Sequence, residues 1–64
     1  MKQIKLLEYA LMEINREIDM ALINYRAFWK SGHIREEQFW NNRLGTLNNE
    51  RGEILELIRM EQNR

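Results

Sequence analysis

The sequence predicts an all-α fold: an antiparallel two-helix hairpin (αα-hairpin) that dimerises into a four-helix bundle. Three observations lead there. The residues are helix formers: Leu, Ile, Met, Glu, Arg and Asn abound, valine and proline are absent, and serine and threonine occur once each, as Ser31 and Thr46. Strand propensity is correspondingly low. Apolar residues recur at steps of three and four through both halves of the chain, the spacing of one helix face. A single glycine-bearing break, "KSGHIREEQ", separates the halves.

The first helix is expected over about residues 3–30. Ile4, Leu7, Leu11, Ile14, Ile18, Ala21, Tyr25 and Phe28 alternate steps of three and four, an a/d seam held for four heptads. At 1.5 Å per residue it spans roughly 40 Å. The bend occupies residues 31–34. Gly32 supplies the left-handed residue that commonly ends a helix, just after a cationic last turn at Lys30.

The second helix is expected over about residues 35–61, with Trp40, Leu44, Leu47, Arg51, Ile54 and Ile58 in the same rhythm and Arg51 as the intruder. Glu36 and Glu37 fall in its first turn, where the helix dipole favours negative charge. With Arg35 as N-cap, Ile34 and Phe39 take the positions of a hydrophobic staple and Gln38 that of a capping box.

Residues 25–47, "YRAFWKSGHIREEQFWNNRLGTL", resemble the helical hairpin of the SHOCT (short C-terminal domain) family. Gly32, Ile34, Glu36, Glu37, Phe39, Arg43 and Leu47 match its pattern, whereas Arg35 stands for a hydroxyl residue and Thr46 for a leucine. The resemblance covers about a third of the chain and implies a small oligomerisation module without an activity of its own.

An antiparallel arrangement pairs positions whose numbers sum to about 65: Tyr25 with Trp40, Ala21 with Leu44, Ile18 with Leu47, Leu11 with Ile54, Leu7 with Ile58. Two helices touch along one line only, so part of each apolar arc stays wet. Leu22, Trp29 and Leu55 widen those arcs, and a second hairpin would bury them. A single 64-residue domain is small enough for self-association to be the usual remedy. In size and hairpin layout the chain also resembles the Rop family of plasmid-encoded RNA-binding dimers, without sharing a motif.

Two features of the second helix stand out. Gly45 and Gly52 lie one heptad apart on one flank, where each costs about 1 kcal/mol relative to alanine. The stripe suits close approach of another helix, or a kinked or frayed helix near Gly45. Arg51 falls in the seam opposite Ile14, within reach of Glu13 or Glu17. Either its stem snorkels with the charge in water or it forms a partly buried pair that sets register.

Catalytic and metal chemistry is not expected. The chain has one His, one Ser, one Thr, one Asp and no Cys. Ser31 and His33 share the bend with no acid placed to orient the ring, and His33 with Glu37 makes two ligands, not a site. No cofactor is implied. Ten basic residues balance ten acidic ones, whereas phosphate binders usually carry a cationic excess. Charged residues break every apolar run before it reaches the length of a membrane span. A 44% hydrophobic composition is too apolar for disorder. A soluble cytoplasmic protein is the expectation.

Binding surfaces are the remaining candidates. Tyr25, Phe28, Trp29, Phe39 and Trp40 gather at the bend, either as a small sealing core or with one or two protruding. Away from its seam the first helix carries Tyr9, Met12, Met20, Ile23 and Ala27, with Arg16 in the gap. A second strip of this kind suits a protein partner or a higher oligomer. The sequence therefore points to a homo-oligomeric interaction module. The alternative is a Rop-like nucleic-acid regulator using Lys2, Lys5, Arg16, Arg26, Lys30 and Arg43 as a basic face formed on dimerisation.

Overall fold

The computed structural model describes residues 2–63, with Lys2 given by its backbone alone. Two helices fill it: α1, Lys2–Ser31, and α2, Ile34–Gln62. They lie against each other as a hairpin. Each helix extends slightly beyond its expected bounds at the bend, which shrinks to Gly32 and His33.

The bend is a Schellman motif. Gly32 has φ +75°, the only described residue with positive φ. Its N–H donates to the carbonyl of Trp29 at 3.3 Å, and the next N–H, of His33, donates to that of Phe28 at 3.0 Å. These two bonds satisfy carbonyls that the end of α1 would otherwise orphan. The apolar contact that accompanies such a motif is made by the Phe28 and His33 rings, edge to face with centroids 5.9 Å apart.

His33 is at once the last residue of this motif and the N-cap of α2, its carbonyl accepting from Glu37 N–H at 2.9 Å. That corrects the capping scheme expected from the sequence. With His33 as N-cap, Ile34 is already inside the helix, Glu36 takes the third position in place of Gln38, and no side chain caps. Ile34 and Phe39 are 65% and 59% exposed, so no staple holds them. The Phe39 ring instead meets Trp40 edge-on at 5.1 Å. Because Gly32 alone reverses the chain, α2 starts one residue earlier than a four-residue bend would allow.

The core follows the seam. Ile14, Ala21 and Leu47 are buried, and Leu11, Ile18, Trp40, Leu44 and Ile54 pack against them. Ala21 carries only a Cβ yet is 1% exposed, which requires α2 to lie close along that turn. Leu7, Leu22, Tyr25, Phe28 and Ile58 are half-buried. An ion pair joins the helices, Arg43 Nη2 to Glu17 Oε2 at 3.8 Å.

Arg51 does not form the partly buried pair; its charge lies in water. It is exposed and makes no ion pair with a described residue, the cross-helix role falling to Arg43. Around Gly45 and Gly52 a Cβ would meet nothing within 4 Å, so α1 does not approach that stripe. Nor does α2 break there; it runs unbroken from Ile34 to Gln62.

Candidate interaction surface

Three buried residues among those described are a small core for a hairpin of this length. The radius of gyration is 14.7 Å, against about 11 Å for a compact domain of this length. The Cα atoms span 48 × 14 × 11 Å, a rod two helices wide. Its accessible surface is 5369 Å², whereas a compact 7.9 kDa monomer exposes about 4,400 Å². The excess, about 1,000 Å², compares with the roughly 800 Å² that each partner contributes to an ordinary stable interface.

Besides Ile34 and Phe39 at the bend, the large exposed apolar side chains fall in three places. The first is the flank beside the seam. Leu22 is half-buried, but Leu55 is 43% and Trp29 61% exposed. Within the hairpin, two of the three residues expected to widen the arcs thus stay in water.

The second is the side of α1 turned away from α2. Tyr9, Met12, Met20 and Ile23 are all more than half exposed. At 100° per residue they fall on the side of α1 opposite the buried Ile14 and Ala21. The corresponding side of α2 is polar, with Asn42, Asn49, Glu53 and Glu56. A shallow hollow of about 260 Å³ between Lys5, Glu8, Tyr9 and Met12 opens at the N-terminal end of the α1 strip.

The third lies at the open end of the hairpin and was not anticipated. Leu6, Leu57 and Met60 are 67%, 48% and 55% exposed. With Leu7 they line an open groove of about 710 Å³, bordered by Gln3, Arg59, Glu61 and Asn63. The signal was present in the pairing rule. Leu6 and Leu57 sum to nearly the same number as the seam pairs, but they sit one position off the a/d seam.

At the bend the aromatics divide. Tyr25, Phe28 and Trp40 are half-buried and seal the tip, while Trp29 and Phe39 protrude. The Ser31 hydroxyl lies 3.0 Å from the Ala27 carbonyl, 3.2 Å from that of Phe28 and 2.7 Å from His33 Nδ1. The hydroxyl has a single hydrogen and so donates to one of these partners at a time. Ser31 and His33 therefore brace the turn. Both are exposed, and no described carboxylate bonds the ring.

Charge is spread thinly. Arg16 pairs with Glu13 at 3.7 Å and Arg59 with Glu56, both on exposed helix faces. Pairs so exposed are screened by solvent and contribute little to stability. The Arg59 guanidinium hydrogen-bonds Glu56, holding its carboxyl below the ordinary 4.5 and in turn raising the arginine. Within one hairpin the described cations of the expected basic face point in more than one direction. Lys5, Arg16 and Lys30 lie on the outer side of α1, whereas Arg43 turns toward α1 and pairs with Glu17; the Lys2 side chain lies outside the described residues. Among the described residues no group of three or more His, Asp or Glu is placed to hold a metal. No described helix is long and apolar enough to cross a membrane.

These features define a helical hairpin with unpartnered apolar faces. No family model matches the chain, nor does any curated protein or solved structure.

Proposed function

We propose that this chain is a non-catalytic protein-interaction module that acts as a homodimer, in the manner of a small regulator, inhibitor or assembly adaptor. The carrying observation is the surplus of about 1,000 Å² of surface over a compact monomer of the same mass. A second hairpin laid on the flank of Leu22, Trp29 and Leu55 would remove an area of that size from each chain and complete a four-helix bundle. The SHOCT-like segment, residues 25–47, agrees with an oligomerising role. The strip of Tyr9, Met12, Met20 and Ile23 lies on another side of α1 and stays free for a different protein.

The chemical inventory supports a binding role over a catalytic one. Ser31 and His33 are engaged with each other and with the backbone of one turn, and no acid joins them. A nucleic-acid role is less well supported, because Arg16 and Arg43 are engaged by Glu13 and Glu17 and point to different sides. Sedimentation equilibrium from about 5 to 500 micromolar tests the dimer. A self-association with a two-chain limit is expected, and a single-chain species throughout would refute it. Binding of RNA or DNA that falls steeply with salt would instead favour the phosphate-binding reading.

A further inference from the structure

We infer that the outer strip of α1 docks an amphipathic helix of another protein, one whose apolar stripe carries a carboxylate opposite Arg16. This deepens the reading of the chain as a protein-interaction module and rests on it. Tyr9, Met12, Arg16, Met20 and Ile23 follow each other at steps of three or four, so they fall within an arc of about 80°. An arc that narrow is the width of a helix–helix seam. α1 thus carries two seams on opposite sides, one filled by α2 and one open. The hollow between Lys5, Glu8, Tyr9 and Met12 offers a socket for one uncharged side chain of the incoming helix.

Charge selects the occupant. The same arc of α1 contains Lys5, Arg16 and Lys30 and no acid, in a chain whose net charge is zero. Arg16, at the centre of the strip, is held only by an exposed contact to Glu13 at 3.7 Å, which an incoming carboxylate can replace. A second copy fits poorly. Antiparallel self-pairing matches Tyr9 with Ile23 and Met12 with Met20, and it sets Arg16 against Arg16 on the two-fold axis. The outer face of α2, with Asn42, Asn49, Glu53 and Glu56, has the acids but exposes apolar side chains only near its ends, at Ile34 and Met60. An anionic bilayer fits poorly too, because Glu8, Glu13 and Asp19 border the strip and would meet lipid phosphates. A helix can place its charges singly; a bilayer cannot.

The test uses the full chain and two synthetic 21-residue helical peptides with the same leucine stripe, one bearing Glu and the other Lys at the central stripe position. Titration calorimetry should show the Glu peptide binding about tenfold more tightly. Arg16→Glu should invert that order, and amide shift changes should map to residues 9–23. Arg16 is exposed, so the variant should keep its helical circular dichroism, and the inversion itself is a gain that misfolding would not produce. Equal affinity of the two peptides, or shifts confined to the Trp29–Leu55 flank, would overturn the inference. So would tighter binding to phosphatidylglycerol vesicles than to either peptide, or a self-assembly that Met12→Glu dissolves. Sedimentation of the same sample separates the two readings. A dimer indifferent to the peptides discards this inference alone, whereas a single-chain species that prefers the Glu peptide upholds it and discards the dimer.

Discussion

If two hairpins share the flank, Leu55→Glu should take them apart. Leu55 is 43% exposed in the single hairpin, so the substitution leaves the α1–α2 contact largely intact. Fully burying a leucine stabilises by about 1.5–3 kcal/mol, and the fraction still to be buried corresponds to about 1 kcal/mol per chain. Two chains therefore lose about 2 kcal/mol, and desolvating two carboxylates adds several more. A loss of about 4 kcal/mol weakens association roughly a thousandfold. Melting followed by circular dichroism at about 5 and 500 micromolar reads this directly. A hundredfold rise in concentration stabilises a dimer by about 2.7 kcal/mol. Two 64-residue chains unfold with an entropy of about 0.27 kcal/mol/K, so the native protein should melt about 10 °C higher at the upper concentration. Leu55→Glu should melt lower, and equally at both. A native melting temperature that ignores concentration would show the reasoning to be wrong.

Other substitutions test the interior and the helix surface. Leu47→Ala removes a large side chain that is fully buried, 1% exposed, and should cost about 2–5 kcal/mol in a denaturant titration; Leu57→Ala, at an exposed position, should cost much less. Gly52→Ala places a Cβ in open space and should raise stability by about 0.5–1 kcal/mol; a loss measured by the same titration would mean that another helix packs there in solution. Arg59→Gln should let the Glu56 carboxyl titrate nearer its ordinary 4.5, followed by carbon-13 shifts. Because the folded value lies below the unfolded one, that pair's small contribution is present above about pH 4.5 and fades as pH falls through the lowered value.

The hairpin was legible because its determinants are local. A seam at steps of three and four names the buried face of each helix without knowledge of the partner, and Ile14, Ala21 and Leu47 are all on it. Gly32 was legible for a similar reason, since ending a helix in the left-handed region favours a residue without Cβ. The capping of α2 was not. It depends on His33 serving both helices, and the residue types at the bend do not encode that double use.

Arg51 shows where periodicity stops. Its spacing puts it on the seam, yet only the rotation of α2 against α1 settles whether a seam position faces the partner or its edge, and Arg51 faces water. The same rotation brings Arg43 to Glu17 and opens the groove between Leu6, Leu57 and Met60. Trp29, which its spacing places beside the seam, is 61% exposed in the single hairpin.

By itself, the amino-acid order determined that there would be two helices, where they would part, and which stripe of each would seek cover. Backbone hydrogen bonding and apolar spacing are short-range matters, complete within a few residues. The tertiary structure decided how much cover was obtained. Two rods in contact along one line bury Ile14, Ala21 and Leu47 but leave apolar side chains in water on the flank, on the outer side of α1 and at the open end, and that deficit depends on the distance and rotation between the helices.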